Sequence, residues 1–473
     1  MKKFYFYNCM LAMMFAGALS LSSCGDDNSG TDDPDVPDQP ITPDKPSEEN
    51  AMSPTDQKER MDNIAQEFMS MTPASDFKNY ADLSNYVNET YNEDYYDWDN
   101  VSDWARNCWE AARKATGNKT TKRYGDYALE IYTEYAALAL ASNFTGHFRA
   151  NNGAWVKESG KANDLQFTFT DQNAQTCVLK LETGGNVKKV HVANFDEWQD
   201  SEDMSDYDAG VYMWYYYYDR TKCTIGVPEN IVLTLTQNGT QIVKTTVNID
   251  LASLSGENFD VSKDNVTASA VIEMSNGYRF NLSQVAYSGN QKASASYGMS
   301  KNGTKLATVS IASDVSGIPS CNVEAFSKDD FDFDDYNTDN ATAKNALVKI
   351  DILGKLQLQG VVKDVRKYSE YMDKAYDNET NENKFKQWVN SANELTQINL
   401  FYDNTSVKQA EMKLEAFADY DWGGYTYWEM EPVLVFFDGS SNSMFDVFFN
   451  DTDFKQTINA FEDLIDRYEN LIK

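Results

Sequence analysis

From Ser53 onward the apolar residues recur at three- and four-residue steps. Ser53-Pro54 reads as a helix N-cap followed by proline at the first helical position, and Met61, Ile64, Phe68 and Met71 then form one stripe. The same period predicts helices over 75–91, with Phe77, Tyr80, Leu83 and Val87 on one face, and over 101–115, with Val101, Trp104 and Cys108. It predicts a fourth over 124–142, carried by Tyr127, Ile131, Tyr135 and Leu138. Four helices in about 90 residues suggest a bundle or a layer that covers a sheet.

At Gly146 the period drops to two. Leu165, Phe167 and Phe169 alternate with polar residues, cross a turn at Asp171 to Asn173, and return through Cys177, Leu179 and Leu181. A second hairpin has Ile231, Leu233 and Leu235 before Asn238-Gly239 and Val243 to Leu251 after it. A third places Ile272 and Met274 before Asn276-Gly277 and Tyr278, Phe280 and Leu282 after it. A fourth turns at Asn302-Gly303 between Tyr297-Met299 and Leu306 to Ile311. Asn-Gly tolerates the positive φ of a type I′ turn, so these are strong hairpin signals and together predict an antiparallel meander. Its strands are apolar on one side and rich in Thr, Ser, Asn and Lys on the other, so one face needs a cover.

Leu347 to Val362 then predicts a further strand or strand pair. Helices follow at 364–376 and 381–398, a strand region spans 409–437, and a turn is expected at Asp438-Gly439. A last helix from Asp451 carries Phe454, Ile458, Phe461, Ile465, Tyr468 and Ile472. The order helices, sheet, helices, sheet, helix predicts an α+β fold: N-terminal helices, an antiparallel β-meander of hairpins, and C-terminal helices with additional strands. The expected regions are helical over 51–145, antiparallel sheet over 146–328, and mixed α/β packing on the sheet over 329–473.

The first 50 residues follow different rules. Lys2 and Lys3 precede an apolar run from Met10 to Leu21, too short to span a bilayer, and Leu21-Ser22-Ser23-Cys24 follows it. This arrangement resembles the signal peptide and lipobox of bacterial lipoproteins, with serine where Gly or Ala is commoner before the cysteine. The resemblance implies removal of residues 1–23 and acylation, such as palmitate, on Cys24, which would anchor the chain to a membrane. Gly25, Asp26, Asp27 and Asn28 lead into Asp32, Asp33 and Asp35, and this acidic start resembles the surface-export signal of Bacteroidota lipoproteins. That resemblance implies an outer-membrane protein facing the exterior. Residues 24–50 read as an acidic tether in which Pro34, Pro37, Pro40, Pro43 and Pro46 recur every third position, matching the period of polyproline II. A stiff rod of that kind could lift the body roughly 80 Å from the membrane, and a plain disordered spacer is the alternative.

Charge narrows the partners. The chain of 473 residues has a formal net charge of −33, and without residues 1–23 it is −35, from 39 basic and 74 acidic side chains. Such a surface repels nucleic acid and anionic headgroups. Cys108, Cys177, Cys223 and Cys321 show no C-x-x-C pair, so zinc and redox motifs fail on spacing, while one or two disulfides or buried free thiols both remain open.

Catalytic signatures are few. Only His147 and His191 exist, neither in a metal-ligand spacing, and no G-x-S-x-G occurs. The run from Asp330 to Asp335 alternates acids like the start of a calcium loop but lacks the glycine and glutamate of an EF-hand, which leaves only a looser cation site open. No cofactor is implied. The aromatic clusters are more suggestive: Tyr95, Tyr96 and Trp98 lie among acids, and Tyr212, Trp214, Tyr215, Tyr216, Tyr217 and Tyr218 form a nearly unbroken run. Rings beside carboxylates suit sugars, although alternate members of 212–218 would also pack inward on a strand. Three readings follow: a non-catalytic surface lipoprotein that binds a glycan or other nutrient, a carrier of an apolar ligand on an open antiparallel sheet, and a carboxylate-based glycoside hydrolase.

Overall fold

The computed structural model describes residues 51–91, 146–151, 154–158, 164–200, 216–254, 264–288, 292–314, 344–405, 407–438, 440, 442–450 and 452–472. The helices expected over 101–115 and 124–142, and the first 50 residues, lie outside them. Internal contacts divide the chain into two units, one drawn from 1–86, 265–319 and 336–473, the other from 87–264 and 320–335. The fold is α+β with strands dominant. No helix among the described residues is long and apolar enough to cross a membrane.

In the second unit the strands are β1 (Gly146–Asn151), β2 (Ala154–Lys157), β3 (Leu165–Thr170), β4 (Thr176–Asp200), β5 (Tyr216–Gln237) and β6 (Thr240–Asp250). Their spatial order is β2-β1-β3-β4-β5-β6. Phe148, Leu165, Phe167, Leu179 and Ile231 are buried, and the Phe148 and Phe167 rings stack at 5.3 Å. Two features depart from the expected meander. First, β1 pairs with β3 in parallel, with Gly146 opposite Leu165. The Gly146 amide donates to the Asp164 carbonyl at 2.8 Å, so β3 enters beside β1, and alternation alone does not encode strand direction. Second, β4 and β5 pair from Cys177 and Gln237 out to Asp200 and Tyr216. Register shifts between Gly184 and Val187 and between His191 and Ala193 break the alternation, which hid this extension from a period-two reading.

The first unit contains β7 (Val266–Met274), β8 (Tyr278–Ser288), β9 (Lys292–Lys301), β10 (Thr304–Asp314), β11 (Ala346–Ile352), β12 (Leu356–Val362), β13 (Thr396–Tyr402), β14 (Ala410–Trp422), β15 (Tyr425–Phe436) and the two-residue β16 (Ser443–Met444). These lie side by side in sequence order. Asn302 and Gly303 take φ of 50° and 81°, and Asn238 and Gly239 take 50° and 77°, as type I′ turns require. Asn276-Gly277 differs. There the Gly277 amide donates to Met274 O at 3.0 Å and only Gly277, at φ 90°, is left-handed, which fits a type I turn closed by a glycine bulge. The strand region 409–437 is a hairpin folded at Gly423-Gly424, both at positive φ, a turn signal that the sequence reading passed over.

Helix α1 (Pro54–Met71) starts as expected, with the Ser53 hydroxyl accepting from the Asp56 amide at 3.2 Å. A 3₁₀ turn at Ala74–Phe77 leads into α2 (Lys78–Tyr91). Helices α3 (Val365–Tyr376) and α4 (Glu382–Leu395) are capped by Asp364 and Asn381, and α4 stops three residues short of its expected end because β13 begins at Thr396. A short helix α5 (Phe445–Phe448) precedes α6 (Lys455–Ile472). The Asn450 side chain accepts from the amides of Thr452 and Asp453, a turn that delays α6 beyond Asp451.

Met61 and Ile64 of α1 pack with Leu400, Met412, Leu434, Phe445, Phe448 and Phe454 into the main core of this unit. The Gln57 side chain donates to Met52 O and Gln409 O at 3.1 and 3.0 Å, which pins the start of α1 to the approach to β14. The other end is held by ions. Lys301 Nζ donates to Asp76 at 2.6 Å and to Met71 O at 3.0 Å, and the Tyr278 hydroxyl, with one proton to donate, lies 2.9 Å from each of the same two acceptors. Burial would raise the Asp76 carboxyl, but the hydrogen bonds from Lys301 and Tyr278 and the Lys301 charge outweigh it and hold it below the ordinary 3.8.

A carboxyl depressed in the folded state contributes stability that is complete above its unfolded pKa and is lost as pH falls through the folded value. Acid unfolding of wild type and Asp76→Asn should therefore differ above about pH 4 and converge below it, as followed by tyrosine fluorescence. A second expectation concerns the hairpin tips. A Cβ on Gly277 would lie 1.9 Å from Asn302 Oδ1, whereas one on Gly303 meets nothing within 4 Å. Gly303→Ala should cost about 1 kcal/mol from backbone strain, and Gly277→Ala measurably more, by thermal unfolding of the two variants side by side.

Candidate functional site

The hairpin β14–β15 carries the most exposed large aromatic residues among those described. Its base is enclosed: β13 pairs with β14 only over 398–400 and 410–412, and β16 meets β15 only at Val433 and Leu434. Beyond those points it is a two-stranded ribbon ending at Gly423-Gly424. One face is covered, because Leu414, Ala416, Trp428 and Met430 pack against Ala375, Phe385 and Val389 of α3 and α4. Asn393 of α4 clamps the open edge of β14, donating to Leu414 O at 2.7 Å and accepting from Leu414 N at 2.9 Å.

A bulge then exchanges the faces. Ala418 pairs with Trp428, but Tyr420 pairs with Tyr427, so two steps on β14 match one on β15. Side chains alternate at every residue, so Tyr427 and Tyr425 point away from the helices that cover Trp428, and Tyr420 and Trp422 join them. Tyr420 and Tyr427 stack with centroids 4.7 Å apart and planes within 5°, and Trp422 lies 6.4 Å from Tyr427. Trp422, Tyr425 and Tyr420 are 70%, 62% and 53% exposed. Four rings therefore form one solvent-facing platform.

Carboxylates border it. Going down the same face from the tip, the rows are Trp422 with Tyr425, Tyr420 with Tyr427, Phe417 with Glu429, and Glu415 with Glu431. The bulge residue Asp419 stands beside them, while Asp421 lies on the opposite face, where it accepts from the Thr426 hydroxyl at 2.6 Å. Among the described residues no ion pair reaches Glu415, Asp419, Asp421, Glu429 or Glu431. Glu431 is raised above the ordinary glutamate value by burial and by the charges of Asp446 and Asp419. The Tyr420 hydroxyl is also raised, first by desolvation and then by Tyr427, Glu379, Asp419 and Glu429.

A second feature lies on β7–β10. An open groove of about 340 Å³ is lined by Ile272, Phe280, Leu282, Tyr297, Met299 and Val309 among others. Register places it on the core face, because Phe280, Met299, Ala307, Ile352 and Leu356 form one cross-strand row and Leu356 belongs to the main core. Ile272 and Tyr297 remain 38% and 44% exposed.

Of the residues singled out from sequence, Cys24, Tyr95, Tyr96, Trp98, Tyr212 and Trp214 lie outside the described residues, as do the acids from Asp330 to Asp335. Tyr216 opens β5 and pairs with Asp200, followed by Tyr217 with Gln199 and Tyr218 with Trp198, so this part of the aromatic run is strand backbone. Cys177 is a buried free thiol pushed up to about 11, chiefly by burial and then by the Asp171 charge, which makes it a poor nucleophile. His147 Nε2 lies 2.9 Å from Asp164, which also faces Lys180 at 3.5 Å, a polar cluster that links β1, the start of β3 and β4. Among the described residues no three His, Cys, Asp or Glu side chains gather as metal ligands.

The platform was missed because its signals are weak one at a time. The residues from Tyr420 to Tyr427 hold four aromatic residues about a Gly-Gly turn, a legible hairpin, but nothing in the sequence reveals the bulge that brings Tyr420 and Trp422 to the face of Tyr425 and Tyr427. Compared with known proteins, the chain matches no family model, no curated protein and no solved structure.

Proposed function

We propose that this chain is a lipid-anchored lipoprotein on the outer face of the outer membrane that binds glycan without catalysis through the β14–β15 platform. The anchor rests on the resemblance of the segment ending at Cys24 to a lipobox, and the outward orientation on the acidic residues after it. One observation carries the binding role: four neighbouring aromatic side chains, the stacked pair Tyr420 and Tyr427 with Trp422 and Tyr425 beside it, lie on the solvent-facing side of a ribbon whose other face is packed. Water-exposed aromatic area of this kind is retained where a partner covers it. Pyranose rings present a flat apolar face of matching size and hydroxyls that hydrogen-bond to the bordering carboxylates. The base of the ribbon is held by Asn393 and the α3–α4 hairpin, and the stacked Tyr420–Tyr427 pair lies one row beyond that cover.

Trp422→Ala and Tyr427→Ala should each weaken binding to the preferred polysaccharide by roughly 3- to 10-fold, measured by affinity electrophoresis against a panel of neutral polysaccharides. Both variants should keep the wild-type melting temperature. Retention of full binding in the double variant would remove the platform from the proposal.

The groove on β7–β10 favours a second reading, a carrier of an apolar ligand on an open sheet, since its size suits a small ligand and its lining is nearly all apolar. Under that reading Val309→Glu should abolish uptake of a fluorescent fatty-acid probe while leaving glycan binding intact. Equal uptake by wild type and variant would leave the groove as ordinary core surface.

A further inference from the structure

The glycan reading leaves open which sugars the platform takes, and its electrostatics answer in a specific way. All eight side chains on the open face, from Trp422 and Tyr425 at the tip to Glu415 and Glu431 at the base, are aromatic or acidic. The first cation along that face is Lys413, opposite Val433, and it is already engaged with Glu411 at 3.7 Å. Elsewhere in this unit exposed acids do find partners, as in Lys374 with Glu370 and Lys386 with Glu382. Lysines also sit over rings on the covered side, with Lys386 at 4.4 Å from Trp428 and Lys374 at 4.9 Å from Trp388. The open face has both components of such contacts, rings and carboxylates, without the cation.

We infer that the platform selects saccharides bearing protonated amino groups, the ammonium taking the place over the rings and beside the carboxylates that lysine takes on the opposite face. The proposal rests on the glycan reading and names its ligand class. A cation over a Trp or Tyr face is attracted by the ring quadrupole, and successive rows along a strand are about 7 Å apart, so an amine on a sugar resting against the outward side of the stacked Tyr420–Tyr427 pair reaches Glu429. Paired carboxylates that crowd one another, as Asp446 and Asp419 crowd Glu431, are relieved by an incoming positive charge. Uronic or sulfated sugars meet repulsion from the same groups.

The test compares one sugar backbone in two charge states. A glucosamine oligomer and its N-acetylated counterpart of equal length are titrated into the full-length protein by calorimetry at about pH 6, where ordinary carboxylates are ionised. The expected result is about tenfold tighter binding of the free amine form, a preference that shrinks as salt is raised and is reduced in Glu429→Gln. Binding of both forms should weaken in Trp422→Ala. Equal affinity for the two oligomers would overturn the charge selection while leaving glycan binding in place. If neither oligomer nor any neutral polysaccharide binds, both proposals fall. An amine preference that persists undiminished in Trp422→Ala and Tyr427→Ala would also overturn the assignment, since the ammonium would then be held elsewhere.

Discussion

The unit built on β7–β16 depends on one constraint: ten strands laid side by side expose a wide apolar face, and few helices are available to cover it. Burial of that face is the main favourable term in its stability. Helix α1 meets the demand by packing Met61 and Ile64 on β12–β15 together with Phe445, Phe448 and Phe454 from the C-terminal segment. Its position depends on polar fixings at both ends, the Gln57 amide at one and the Lys301-Asp76-Tyr278 cluster at the other. These fixings convert a non-directional attraction into a defined placement.

Where cover ends, features with functional potential appear. On β7–β10 the core face continues past the packed region, and the groove with Ile272 and Tyr297 at its rim is the result. On β14–β15 the cover is the α3–α4 hairpin, and it extends only as far as Trp428. At that point the bulge at Asp419 sends Tyr420 and Trp422 to the opposite side, where they join Tyr427 and Tyr425, so that Tyr420, Trp422 and Tyr425 stay exposed and Tyr427 is half-buried. A ribbon without the bulge would continue the Met412, Leu414, Ala416 and Ala418 series with Tyr420 and Trp422 on the helix side, and would put Asp419 and Asp421 beside Tyr427 and Tyr425 on the outer face. One extra residue thus separates a packing surface from a binding surface.

Much of the fold was legible because its signals are local. The Ser53-Pro54 cap, the stripe through Met61 and Ile64, the α3 and α4 periods, and the turns at Asn238 and Asn302 all depend on residues within a few positions of each other, and the structure shows each of them. The parallel pairing of β1 with β3 and the full length of β4 and β5 were not legible, since strand direction and pairing across register shifts depend on residues distant in sequence. The aromatic run from Tyr212 to Tyr218 drew attention by its density. Where described, it is paired strand, whereas the sparser set about Gly423-Gly424 forms the exposed platform.

By itself the sequence determined the alternation of helical and strand periods, the apolar and polar faces of the strands, the acidic charge, and the expectation of a lipid anchor at Cys24. These follow from composition and short-range spacing, which every conformation of the chain shares. Only the tertiary structure decided which apolar faces are covered, which carboxylates lack a cation, and which rings look outward. Those depend on what lies across from each residue, and a single bulge, invisible in the period of the sequence, is enough to reverse the answer.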